Sequence, residues 1–182
     1  LYAGYILKSK GINYQILEAS DKYGGRMGKR TDFADFPIDL GAQWLHGKNN
    51  ILGDLIKKTG TKIALDDSEI KFWFNNKLIN NLPKSIDIFE GEDLPDISYQ
   101  DYAIQQGFGD EYKYIVETVA GDQGASASNL SVYYNNKEEE NWNSGDDDFK
   151  FEETYFDLID KHIASQVIDR LQLNTVVRKI DY

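Results

Sequence analysis

Residues 12–47 read INYQILEASDKYGGRMGKRTDFADFPIDLGAQWLHG, and this stretch decides the fold. Residues 12–18 predict a strand that closes on an acid, Glu18. Gly24-Gly25 then forces a turn, since glycine takes positive φ without steric cost. A second extended segment covers 36–40 and ends at Gly41. Upstream, residues 1–10 carry Leu1, Tyr5, Ile6 and Leu7 at helical spacing, with lysines at the end and Gly11 as the stop. A helix feeding a strand that ends on an acid is what a dinucleotide-binding unit needs, because that acid hydrogen-bonds ribose hydroxyls. Taken alone, Glu18 is more simply an exposed loop acid. Gly24-Gly25 lets backbone approach a ligand, and Arg26 directly after it presents a forked donor suited to a pyrophosphate. GGR alone is also common. Gly41-Ala42 leaves backbone amides free to face a planar ligand. Trp44 and His46 follow, before Gly47. Such residues are usually core packing, but their place between two glycines, in a chain with two histidines, favours a functional reading.

Beyond this stretch, Asn49/Asn50 can cap a helix running to Lys57-Lys58, with Gly60 after it. Ile70, Phe72 and Phe74 alternate and then meet Asn75-Asn76, a hairpin signal. From about 98 to 119 the pattern is helical, opened by Ser98 and Asp101 as a capping box. Residues 135–150 (NNKEEENWNSGDDDFK) read as an exposed acidic loop. Tyr155, Leu158, Ile159, His162 and Ile163 form a helix face. Residues 171–182 (LQLNTVVRKIDY) read as one or two strands. The order αβ, a mixed middle, then αβ predicts an α/β fold: a dinucleotide-type domain with a second, α+β segment inserted. The expected boundaries are 1–47 and 151–182 for the first domain and 48–150 for the insertion.

Composition narrows the function classes. Hydrophobic residues make up 41% and aromatics 13% of 182 residues, a globular composition. The net charge of −11 excludes general binding to nucleic acid or anionic membrane, both of which need positive surface. It suits a cationic partner, although solubility alone explains it as well. No cysteine is present, so disulfides, thiolate metal sites and a cysteine nucleophile are excluded, and no metal site is expected. No apolar run approaches the ~20 residues of a membrane span. Asn129-Leu130-Ser131 fits a glycosylation sequon, a triplet that chance often supplies. Compartment and oligomeric state stay open, with cytoplasm or peroxisome favoured.

The stretch ILEASDKYGGRMGKR…FPIDLGAQWLHG resembles the FAD-binding segment of the flavin-containing amine oxidases. It looks closest to polyamine and spermine oxidases, whose version reads LEA-x-x-x-x-GGR followed by DLGA-x-W-x-HG. GDDDFKF…YFDLID…LQLNTVVRKIDY is similar to the family segment that leads back into the FAD domain. Glu153-Thr154 departs from the usual Gly-Gly there. The resemblance implies a partial Rossmann-like FAD domain with an inserted substrate-domain segment. By that resemblance Glu18 would bind the adenosine ribose and Ala19 would contact the same region. Gly24, Gly25 and Arg26 would lie along the pyrophosphate, with Arg30 a further candidate. Gly41, Ala42, Gln43 and Trp44 would run beside the flavin ring, and Val177 would offer its backbone to the adenine. His46 would face the substrate amine and tune its deprotonation.

The implied reaction is FAD-dependent oxidation of an amine, a polyamine above all, to an imine, with O2 reduced to hydrogen peroxide. The alternatives are another flavin oxidoreductase of the same fold, such as a desaturase or protoporphyrinogen-oxidase relative, or a non-catalytic flavoprotein-like module. WLHG argues for amines, because the polyamine group differs from its cousins there. The expectation is also of a fragment: the family's GxGxxG turn would lie upstream of Leu1 and its second FAD segment downstream. On that reading the isolated segment is inactive and binds FAD weakly.

Overall fold

The computed structural model describes residues 1–91 and 93–181. Glu92, which forms an acidic cluster with Glu90 and Asp93 in the sequence, and Tyr182 lie outside the described residues. Contacts divide the chain into two compact units. One holds the residues up to Asp66 together with those from Ser144 onward; the other is Asp67–Asn143.

The chain opens with α1 (Tyr2–Ser9), followed by β1 (Ile16–Leu17), β2 (Lys29–Arg30), β3 (Ile38–Asp39) and β4 (Trp44–His46). Helix α2 (Ile51–Thr59) is capped by Asn50, whose side chain accepts from the Gly53 amide at 2.9 Å, and β5 (Ile63–Leu65) follows. The second unit contains β6 (Phe72–Phe74), β7 (Lys77–Ile79), α3 (Tyr99–Gln105), α4 (Lys113–Asp122) and α5 (Val132–Glu139). The chain then returns through β8 (Asp148–Phe151), α6 (Tyr155–Ile159), a π-helical turn (Asp160–Ala164), α7 (Ser165–Val167) and β9 (Leu171–Gln172).

In the first unit, β1 and β9 pair in parallel with Ile16 opposite Leu171. The strands foreseen over 12–18 and 171–182 shrink to this short ladder. Single bonds extend it, from the Glu18 amide to the Gln172 carbonyl and from the Thr175 amide to the Glu18 carbonyl. A second sheet is antiparallel in the order β4-β8-β5. Its pleat sends Leu45 and Phe149 inward, where they meet Ile56 and Leu158 as a core. The same alternation sends Trp44, His46, Asp148 and Lys150 to the exposed face.

In the second unit, β6 and β7 form the hairpin foreseen at Asn75-Asn76, both of which take positive φ as a two-residue turn requires. Phe74, Phe89, Tyr99, Phe108, Tyr112 and Val132 centre its core. Ser98 caps α3 by accepting from the Asp101 amide. The polar run at 135–150 is not one loop. Helix α5 occupies its start and β8 its end. Polarity misleads here because Asn135 and Asn136 are buried yet satisfied. The Asn136 amide donates to the Phe89 carbonyl at 2.6 Å and the Val132 carbonyl at 3.0 Å, and its oxygen accepts from the Gly91 amide at 3.1 Å.

Among the described residues no helix is long and apolar enough to cross a membrane, and no group of three acids or histidines is placed to hold a metal.

Candidate cofactor site and the exposed face of β4

The turn after β1 and the segment before β4 meet at one place in the first unit. A cavity of about 440 Å³ is lined by Glu18, Tyr23, Gly24, Gly25 and Met27. Leu52 and Leu55 of α2, Tyr155 and Ile159 of α6, and Ile163 line it as well. This is the size range of small-molecule and cofactor sites. An adjoining cleft is lined by Gly24, Arg26, Met27, Leu40, Gly41, Ala42 and Tyr155. Gly24, Met27 and Tyr155 belong to both, so the two form one continuous wall. The GGR turn and the DLGA segment are joined by backbone: the Ala42 amide donates to the Arg26 carbonyl at 3.2 Å and the Leu40 amide to the Gly28 carbonyl at 2.7 Å. The approach is so close that a Cβ on Gly41 would stand 2.1 Å from the Arg26 oxygen, at a φ of +148°.

The donor and acceptor chemistry of this wall fits a nucleotide cofactor. Glu18 is held by its own loop, since its carboxylate accepts from the Ser20 amide at 2.9 Å and the Ser20 hydroxyl at 3.1 Å. Those bonds, the backbone amide first, keep its pKa below the ordinary carboxylate value. The guanidinium of Arg26 makes no ion pair among the described residues. Gly25 faces open space, with no atom within 4 Å of where a Cβ would stand. An acid, a bare glycine backbone and an uncommitted guanidinium suit ribose, pyrophosphate approach and phosphate charge in that order.

Helix α6, which contributes Tyr155 to the wall, is bonded to the segments around it. Thr154 caps it by accepting from the Asp157 amide at 3.1 Å. Asp39 of β3 accepts from the Tyr155 amide at 3.0 Å, at the helix N-terminus. Burial raises the Asp39 pKa nonetheless, with the Tyr155 and Phe156 amides working against that rise. Lys29 of β2 binds Asp157. Burial alone would raise the Asp157 carboxyl, but bonds from Lys29 and Thr154 together with the Lys29 charge bring it below its usual value. Tyr23, next to the GGR turn, stacks on Phe156 and donates to Asp160. That bond, then burial and the Asp160 charge, push the Tyr23 phenol up to about 12.

The exposed face of β4 is a second group. The Trp44 indole donates to Asp66 at 2.7 Å, Lys150 reaches the same carboxylate at 3.0 Å, and its ammonium lies 5.6 Å from the Trp44 ring centre. The His46 ring is 6.5 Å from that of Trp44, and its Nδ1 is 2.8 Å from Asp148.

Of the residues singled out by sequence, Glu18, Gly24, Gly25, Arg26, Gly41 and Ala42 line the continuous wall. Trp44 and His46 share the face of β4 instead, and Gln43 is half-buried just before them. Ala19 and Val177 are exposed and line neither cavity. Arg30 is turned aside: its Nε donates to Asp32 at 2.7 Å and it lies over Phe33. Sequence reading missed Tyr23, Met27 and Tyr155. Only Tyr155 carried a signal, as one member of a helix face.

Residues 1–174 match the family model described as flavin containing amine oxidoreductase, and the chain belongs to that family. Polyamine oxidase 2 of Arabidopsis thaliana is 41% identical over 61 residues, 32% of this chain and 12% of that protein. The flavin-containing monoamine oxidase A homologue of Dictyostelium discoideum is 36% identical over 62 residues, 34% of this chain and 13% of that protein. Among solved structures, wild-type putrescine oxidase bound to putrescine superposes with a TM-score of 0.67 at 18% identity, covering 94% of this chain and 48% of that one. Cyclohexylamine oxidase from Brevibacterium oxydans IH-35A gives 0.66 at 15%, covering 94% and 48%. These superpositions establish a shared mixed α/β fold. The chain spans about half the length of those structures and a smaller share of the relatives matched by sequence.

Proposed function

We propose that these residues form part of an FAD-dependent amine oxidase acting on a polyamine. The observation that carries this reading is the continuous wall, where Glu18, the Gly24-Gly25-Arg26 turn and Gly41-Ala42 come together from separate parts of the sequence. The unit with the parallel β1/β9 pair is read as part of a Rossmann-like FAD domain, and Asp67–Asn143, the compact part of the 48–150 stretch, as a segment inserted for substrate. Glu18 would take the ribose hydroxyls and Arg26 the pyrophosphate charge, with Gly25 leaving room for close backbone approach. The chemistry a bound FAD supplies is two-electron oxidation of the amine to an imine, with O2 reduced to hydrogen peroxide.

The protein's own task is to prepare the amine. A protonated amine has no lone pair to support loss of hydride from its α-carbon. His46 would take one proton from the substrate ammonium: an N–H bond of the amine breaks and an Nε2–H bond forms. Nε2 has no other partner among the described residues. Support for amines, and polyamines among them, comes from the WLHG face and from the relatives.

The test is peroxide release by the full-length protein against spermine, spermidine, acetylated polyamines and monoamines. Polyamine-dependent peroxide is expected; no peroxide with any amine sinks the reading. His46→Ala is expected to lower kcat/KM by about 100-fold and to alter its pH profile. An unchanged profile and affinity would remove His46 from the mechanism.

A further inference from the structure

We infer that Asp148 is the positioning residue for His46, fixing which ring nitrogen the imidazole offers to the substrate; the inference rests on the amine-oxidase reading above. Asp148 sits in an acidic run that sequence alone assigned to a solvated loop. The structure makes it the first residue of β8, directly opposite His46 in the β4/β8 register. That register is not free to slip. Leu45 and Phe149, the next pair along, are both buried, and a shift by one residue would turn them into solvent and the polar pair into the core.

The geometry then dictates the tautomer. Nδ1 of His46 lies 2.8 Å from Asp148 Oδ1. An ionised carboxylate only accepts, so Nδ1 carries the proton. In the neutral ring the lone pair is therefore on Nε2, the nitrogen without another partner among the described residues. Lys150, the nearest cation on the same strand face, is drawn to Asp66 and does not compete for Asp148. Trp44, held by the same Asp66, lies beside the imidazole with ring centres 6.5 Å apart. The pair is about half exposed, at 59% for His46 and 48% for Asp148. Such a pair contributes little to stability, so its effect falls on the ring's orientation and not on the fold. When His46 takes a proton from the amine, the Asp148 carboxylate also faces the positive ring that results.

The experiment compares wild type, Asp148→Ala, Asp148→Asn and His46→Ala in the full-length protein. Nitrogen-15 spectra of the ring nitrogens report the tautomer directly, with His46→Ala identifying the signals. The expected result is an Nδ1–H ring in wild type and in D148N, whose amide oxygen still accepts, and a shift toward Nε2–H in D148A. Alongside, kcat/KM for the amine should fall about tenfold in D148A and recover most of that loss in D148N. A tautomer unchanged in D148A overturns the proposal. A tautomer that changes while neither D148A nor H46A affects amine oxidation upholds the positioning and overturns His46 as the base. Should D148A fail to fold, D148N carries the test: an Nε2–H ring in that variant overturns the proposal and an Nδ1–H ring upholds it.

Discussion

Gly25 and Gly41 sit on the same wall, but a methyl group would meet very different surroundings at each. At Gly41 it would collide with the Arg26 carbonyl at a φ no alanine takes comfortably. Gly41→Ala should therefore cost about 3 kcal/mol or more, by prising apart the two segments that build the wall. At Gly25 the φ is +56° and nothing lies nearby. Gly25→Ala should cost only roughly 1–2 kcal/mol of stability, the left-handed penalty for an L-residue. If the open space is where a pyrophosphate lies, that small change in stability should come with a clear rise in the FAD dissociation constant. Thermal unfolding and FAD titration of both variants check this. G25A binding FAD like wild type would place the ligand elsewhere.

At the scale of elements, α6 ties β2 and β3 to the core through two carboxylates of opposite character. Asp157 lies below its ordinary value of 3.8, so it stabilises the fold above that pH and the benefit drains away as pH falls through its folded value. Asp39 lies above 3.8, so it opposes folding once ionised and the penalty is relieved in acid. The two therefore counteract each other in the acid range, Asp157 losing its contribution below 3.8 and Asp39 shedding its penalty as pH falls toward 3.8. Asp157→Asn should lower the melting temperature at neutral pH and flatten its fall in acid. Asp39→Asn keeps an oxygen for the Tyr155 amide, so it should leave the neutral melting temperature level or raised and steepen the acid fall. Parallel slopes for both variants and wild type would contradict this. Much of this element was legible beforehand. The stripe of Tyr155, Leu158, Ile159 and Ile163 announced a helix, and the glycines at 24, 25 and 41 marked the wall. The partners of Lys29, Tyr23 and Asp39 were not legible, because they lie more than a hundred residues away and no local pattern encodes them. The same holds for Asp148, whose acidic neighbours pointed to solvent while its pairing with β4 depends on tertiary register.

Over the 182 residues taken together, the charge of −11 acquires a use on the proposed reading, in which the substrate is a cation. Glu138, Glu139, Asp146 and Asp147 are exposed, as are Glu90 and Asp93. Lys137 neutralises Glu140 locally, at 2.7 Å, but 31 acids against 20 bases leave most of this field unbalanced. A negative field raises the local concentration of a substrate in proportion to the substrate's charge, and salt screens it over a distance of about 10 Å at 0.1 M. A tri- or tetra-amine should feel it strongly and a monoamine weakly. Raising NaCl from about 20 to 200 mM should therefore raise KM severalfold for spermidine or spermine, leave KM for a monoamine nearly level, and leave kcat unchanged for both. The comparison between substrates is what gives the experiment its force, because salt effects on the fold or on a bound cofactor would move both amines together. Equal shifts for the two would assign the acidic surface to solubility alone.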